Sequence, residues 1–371
     1  MRQHIYTIAA LIIWTTVSFA QQPGATSARP QDPKDFPYQQ EEVTFSNPSA
    51  GHSLSGTLSL PANGKASKIV VLITGSGPQN RNAELAVYNH RPFLVLSDYL
   101  TRQGIAVLRY DDRGVGKSTG VFNTATTADF ADDAEAAVNY IFSRPDLKDM
   151  TIGLAGHSEG GMIAPIVASR NPRVKFLVLM AAPGIPINEL YAQQIEQTMK
   201  LAGTPAEEAA KKTATNLRIF TAMKEVADLP PAQAALAVEL ALRREFDLLP
   251  IEALDSETKA IAIQTTLANY NLPWFRYFIA FDPALYLSKI KCPVLAINGV
   301  LDFQVAAAAN LAGIKAALEK AGNKKMEMVP MEGLNHLFQK ANTGAAAEYG
   351  SIEESFNPAA LQKISAWING I

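Results

Sequence analysis

The sequence predicts an α/β fold, a mostly parallel sheet with helices on both faces and a helical insertion. Three observations carry this. Short apolar runs recur at Lys68–Thr74 (KIVVLIT), Ile105–Arg109 (IAVLR) and Val174–Met180 (VKFLVLM), the pattern of strands buried on both faces. Segments with helical spacing lie between the runs, and such alternation implies parallel strands joined by crossovers. From about 187 to 287 the alternation stops, and no strand pattern interrupts a stretch rich in Ala, Glu, Lys and Leu.

Taken in order, residues 41–45 and 53–60 alternate polar and apolar around Gly51, which reads as an antiparallel hairpin at a sheet edge. The strand 68–74 follows. Pro92 then opens a helix with Phe93, Leu96 and Leu100 on one face, and Gly104 closes it. After the strand 105–109 comes a helix over 129–143, with Phe130, Ala134, Ala137, Val138 and Ile141 on one face; Asp132 and Asp133 are expected on its solvated side. The run 151–155 is a further strand, residues 161–168 a helix and 174–180 another strand. The insertion over 187–287 is punctuated by Pro230-Pro231 and Leu249-Pro250. It is expected to sit over the strand C-termini, where ligands bind in such sheets. Beyond it follow a strand at 293–298, a helix at 310–321, a strand at 325–329 and a helix at 358–368. The core therefore comprises 39–186 and 288–371.

The chain starts with a pattern of export. Arg2 and His4 precede an apolar stretch from Ile5 to Phe19 that ends at Ala20 with small residues where a signal peptidase cuts. Residues 1–20 read as a cleavable signal peptide, too short for a stable membrane span, and 21–38 as a disordered lead-in. The expected location is periplasmic or secreted. The net charge of −2 argues against nucleic acid or an anionic membrane surface as partner. The lone Cys292 forms no internal disulfide, and no Cys/His cluster has metal spacing, so neither metal nor cofactor is expected.

The chemistry concentrates at Gly156-His157-Ser158-Glu159-Gly160. A G-x-S-x-G between a strand and a helix is a nucleophile elbow: the sharp turn lifts the Ser hydroxyl above the sheet edge and aims a helix N-terminus at it. A Ser nucleophile needs a base, and the base needs an acid to fix its tautomer. Of five histidines, His4 leaves with the leader, His52 lies in the hairpin, His90 precedes the first helix, and His157 is inside the elbow and badly placed to reach the hydroxyl. His336 follows the last strand, where a loop can deliver an imidazole. Asp302 ends the strand 293–298 after a Gly299 turn and completes the chain order Ser158, Asp302, His336; Asp282, Glu327 and Glu332 lack that context. The oxyanion of a tetrahedral intermediate needs N–H donors. One is expected from Glu159, the other from Ser76, with Gly77 the alternative; Pro78 has no N–H.

These residues together resemble the α/β-hydrolase superfamily, and within it bacterial secreted serine hydrolases related to the S33 aminopeptidases and cinnamoyl esterases. The motifs that carry the resemblance are Gly75-Ser76-Gly77-Pro78-Gln79, Tyr110-Asp111-Asp112-Arg113-Gly114-Val115-Gly116-Lys117-Ser118, Gly156-His157-Ser158-Glu159-Gly160-Gly161 and Gly333-Leu334-Asn335-His336. The resemblance implies the α/β-hydrolase fold and a Ser-His-Asp hydrolase with a helical cap. Asp112-Arg113-Gly114 is expected to hold a loop rather than do chemistry. The expected reaction is hydrolysis of a small carboxylic ester through an acyl-enzyme. The rival is an aminopeptidase of the proline-iminopeptidase kind, which would hold a short peptide's free amine with carboxylates such as Glu207, Glu208, Glu225 and Glu239. An acyltransferase and a non-catalytic binding protein remain further alternatives.

Overall fold

The computed structural model describes residues 27–62, 64–248 and 255–371; the expected signal peptide and residues 21–26 of the lead-in lie outside them. Eight strands form one sheet in the order β1-β2-β4-β3-β5-β6-β7-β8. β1 (Gln39–Asn47) and β2 (His52–Leu60) form the edge hairpin, and β2 also runs antiparallel to β4 (Ala106–Tyr110). The other pairings are parallel: β4 with β3 (Lys68–Ile73), then β5 (Thr151–His157), β6 (Val174–Met180), β7 (Val294–Gly299) and β8 (Met326–Met331). Pro330 is tolerated in β8 because that strand closes the sheet as an edge.

The chain leaves β3 towards β4 on one side and next reaches β5 on the other. A sheet that reverses its winding in this way opens a crevice at the strand C-termini. The loops after β3 and β5 meet there.

Helices α1 (Pro92–Arg102) and α11 (Pro358–Gly370) pack together on one face. Leu96, Leu100, Leu361 and Ile364 there meet Val70, Leu72, Val107, Val178 and Ile297, all fully or nearly fully buried. Each such side chain contributes about 1.5–3 kcal/mol by leaving water. Helices α2 (Thr127–Ser143) and α3 (Gly160–Arg170) cover the other face and pack on each other. α2 begins at a capping box, with Thr126 and Asp129 each bonding the other's backbone N–H, two residues before its expected start. Its two acids part company. Asp132 is half-exposed and pairs with Arg170 at the surface, on the solvated side as expected. Asp133 is buried instead of solvated: Arg113 Nε, Asn47 Nδ2 and His52 Nε2 lie 2.6, 2.7 and 2.8 Å from its oxygens. Helical periodicity marked the position as polar, but donors from three distant segments satisfy the charge inside the protein.

The described residues divide into two compact units, Pro186–Asp282 and the remainder. The smaller is helical throughout: α4 (Ile187–Leu201), α5 (Ala206–Glu225), α6 (Pro231–Asp247), α7 (Ser256–Tyr270) and α8 (Pro273–Ala280). Prolines precede or open four of them, where a missing N–H costs nothing. Phe220, Met223, Val238, Leu242 and Tyr270 are buried, and the Tyr270 hydroxyl donates to Met223 O at 3.0 Å. The short helix α9 (Ala284–Leu287), expected with the insertion, belongs to the larger unit and packs on α3 and α10 (Ala307–Lys320).

The lead-in is ordered over 27–38, against expectation. The Arg29 guanidinium donates to the carbonyls of Tyr88, Asn89, Gly350 and Ile352, and Gln31 bonds the backbone of Ser355 and Phe356 at both ends of its amide. Its polar composition predicts disorder only where distant carbonyls do not need those donors.

Candidate active site

β5 ends at His157, and the next residue, Ser158, has a φ of +54° in the left-handed region. An L-residue holds that conformation at a cost of about 1–2 kcal/mol, so the turn must be pinned. The Ser158 N–H donates to Met180 O of β6 at 2.9 Å, and its carbonyl accepts from Gly161 N–H at 2.8 Å. The flanking glycines are sterically required. A Cβ on Gly156 would lie 2.0 Å from Gly160 O, and one on Gly160 would lie 2.2 Å from Ile73 O. Strand, turn and helix therefore close on one another, and the N-terminus of α3 points at the Ser158 turn.

The other two members of the predicted triad meet directly. His336 Nδ1 lies 2.8 Å from Asp302 Oδ2, and both residues are 4% exposed. The carboxylate can only accept, so Nδ1 carries the proton and Nε2 is left with its lone pair. Asp302 Oδ1 accepts the N–H groups of Gln304 and Val305 at 2.8 and 2.9 Å, which aims Oδ2 at the imidazole. Gly299 serves the same end: a Cβ there would meet Leu334 O at 2.3 Å, so β7 and the His336 loop come together only with glycine. Asn335 caps that loop by accepting from the N–H groups of Leu337 and Gln339.

The ring of His157 lies 4.8 Å from that of His336, which brings the candidate base beside the elbow, although no Ser158–His336 hydrogen bond is formed. His157, set aside in the sequence as a base, has a positioning role there: its Nε2–H donates to the backbone carbonyl of His336 at 2.9 Å. Burial, and then the neighbouring His336, pull its pKa down to about 3, so it is neutral and donates from one nitrogen. Adjacency to Ser158 was the only sequence signal for it.

The loop after β3 also reaches the elbow. A Cβ on Gly75 would lie 3.2 Å from Ser158 Cβ. Among the described residues the N–H groups of Ser76 and Gly77 have no protein acceptor, and Glu159 stands at the N-terminus of α3 with its buried side chain bonded to the Thr127 hydroxyl. Asp112 ties this loop down, accepting Gln79 N–H and the Thr74 hydroxyl, each at 2.9 Å. Part of the Asp112 surface opens into a small cleft beside Gly75 and Gly77, but protein surrounds it at longer range. That burial, with the nearby Glu159 and Asp133 charges, pushes its carboxyl up to about 8. His90 is fully buried against Ser355 and Tyr349 O, and Gln339, 2.9 Å from its Nε2, connects it to Asn335 of the His336 loop. Cys292 is partly buried and its thiol is pushed up to about 11. Among the described residues no cluster of His, Cys, Asp or Glu could hold a metal ion, and no helix is long and apolar enough to cross a membrane.

Strand order, elbow and histidine loop together make up the α/β-hydrolase fold. Residues 90–235 match the family described as "Serine aminopeptidase, S33". The fold is similar to that of the esterase Pf2001 of Pyrococcus furiosus, with a TM-score of 0.53 and 16% identity over 91% of this chain and 95% of that one. It is also similar to the hypothetical protein PA2218 of Pseudomonas aeruginosa, with a TM-score of 0.52 and 16% identity over 94% and 99% of the two chains. In sequence, 86 residues, 23% of the chain, are 31% identical to thiohydrolase apmlB of Arthrinium phaeospermum, and the match spans only 28% of that protein.

Proposed function

We propose that the protein is a serine hydrolase of carboxylic esters acting through an acyl-enzyme. The observation that carries this is the buried Asp302–His336 pair, set beside a serine held at positive φ at a helix N-terminus. Ser158 Oγ attacks the acyl carbon while His336 Nε2 takes its proton, and Asp302 stabilises the imidazolium that forms. The oxyanion is received by the N–H of Glu159 and that of Ser76, with Gly77 the alternative. His336 returns the proton to the leaving alcohol, and water, deprotonated by the same imidazole, releases the acid.

The ester reading is favoured over an aminopeptidase by the helical unit. Three of the four carboxylates that could hold a peptide amine, Glu207, Glu208 and Glu239, pair instead with Lys211, Lys212 and Arg243 one turn along their own helices, which among the described residues leaves Glu225 as the candidate without such a pair. The names of the relatives, an esterase and a thiohydrolase, point to acyl transfer to water. The leader pattern supports a periplasmic or secreted protein.

The test is turnover of p-nitrophenyl butyrate beside a prolyl or alanyl aminomethylcoumarin, with Ser158→Ala as control. Ester turnover that is lost in the variant is expected. Strong amide turnover would move the reading to an aminopeptidase, and wild-type ester rates in folded Ser158→Ala would overturn the mechanism.

A further inference from the structure

β4 places a second unusual group on the larger unit, away from the histidine loop. Arg109 is 3% exposed. Its guanidinium makes one hydrogen bond to protein, from Nη1 to the neutral Asn82 Oδ1; Nε is buried without an acceptor, and no carboxylate lies within ion-pair distance. Burial lowers its pKa to about 10, which leaves it charged at neutral pH. A buried cation without an anion is costly, so its surroundings decide what it is for.

Arg109 lines a cavity of about 530 Å³ that also borders Arg81, Lys117, Glu42 and Asp111. The two acids are already engaged. Asp111 accepts from both Nε and Nη2 of Arg81, at 3.0 and 2.8 Å. Glu42 accepts from Arg81 Nη1 at 2.8 Å and the Thr57 hydroxyl at 2.7 Å, with Lys117 Nζ at 3.5 Å. Three cations against two acids leave one positive charge over, and it resides on the residue with no acidic partner. A guanidinium donates two parallel N–H bonds to two oxygens of one anion, and the Arg109 guanidinium, which lines the cavity, spends only one N–H, on Nη1, on a protein acceptor.

We infer that this cavity is a binding site for a small oxyanion, a carboxylate or phosphate group received by the Arg109 guanidinium. The proposal does not depend on the hydrolase reading.

The test is the thermal unfolding midpoint of the whole protein, titrated with inorganic phosphate or with succinate at fixed pH and ionic strength. At least one anion is expected to give a saturable rise, of roughly 1–2 °C once it exceeds its dissociation constant about five-fold. A response to phosphate alone or to succinate alone identifies which group the site takes. Asn82→Asp puts a carboxylate on Arg109 from within the chain, and is expected to raise the midpoint without ligand and abolish the response. Arg109→Gln removes the charge, and is expected to abolish the response without that rise. General exclusion of phosphate from protein surfaces would stabilise wild type and variants alike. Absence of a saturable response to both anions, or equal responses in wild type and in whichever variants fold, would overturn the proposal.

Discussion

Asp302→Asn is the sharpest perturbation of the candidate triad, because its consequence can be worked from the hydrogen bonds. In the wild type Oδ1 accepts two backbone N–H groups and Oδ2 faces His336 Nδ1 at 2.8 Å. An asparagine has one oxygen. If it stays with Gln304 and Val305 N–H, the side-chain NH2 faces Nδ1 and can only donate, so the imidazole proton moves to Nε2, the atom that must accept from Ser158. If the amide flips, the tautomer is preserved but an NH2 group faces two N–H donors. Each unmatched donor costs about 1–3 kcal/mol, so the flip costs about 2–6 kcal/mol, or roughly 1.5–4.4 decades in population. The expected loss in kcat is therefore about 10²–10⁴-fold, in line with the general cost of a wrong tautomer. The assay is p-nitrophenyl butyrate hydrolysis at neutral pH, with the unfolding midpoint followed on the same samples. A folded variant that keeps kcat within about ten-fold of wild type, well short of that loss, would refute Asp302 as the group that fixes the His336 tautomer.

Two further predictions concern stability. Ser158→Gly removes the left-handed penalty and is expected to abolish turnover while stabilising the fold by up to about 1 kcal/mol, after the greater chain entropy of glycine is offset; Ser158→Ala keeps the penalty, and denaturant midpoints compare the three proteins. Asp112 titrates near 3.9 unfolded and at about 8 folded. The folded state therefore binds more protons between those values, and this group's contribution to stability falls as pH rises from about 4 to 8 and is flat beyond. Asp112→Asn should remove that slope from the unfolding midpoint measured at pH 5 and pH 8, and an unchanged slope would reject the buried-acid reading; His157, whose lowered pKa acts in the opposite sense as pH falls below about 6.5, is common to both proteins and cancels.

What the sequence displayed well was whatever rests on local pattern. Val174–Met180 is a strand over the predicted residues because a strand covered on both faces must be apolar throughout. Ser158, Asp302 and His336 stood out as candidates because each follows a strand and because only five histidines compete for the role of base. What stayed hidden depends on partners far away in the chain. Asp133 looks like one of two exposed acids on α2 until Arg113, Asn47 and His52 converge on it. His157 is excluded as a base by its position in the elbow, yet that position lets its ring support the His336 carbonyl. Arg109 reads as the polar end of a strand, and only the cavity and the engagement of Glu42 and Asp111 by Arg81 show that its charge is unmatched.

The stapling of the lead-in bears on how the protein comes to be assembled. Gln31 and Arg29 bond residues 321–325 positions further on, the widest separations among the side-chain hydrogen bonds of the described residues. During synthesis the lead-in emerges before any strand, and it must wait for nearly the whole chain before its carbonyl partners exist. Closure entropy grows only with the logarithm of loop length, so the delay adds little thermodynamic cost. The staple joins the stretch 350–356, which runs back towards the histidine loop, to the opposite end of the polypeptide. The sheet can thus be laid down strand by strand as the chain is made, whereas this seam can be sewn only once the final helix is within reach.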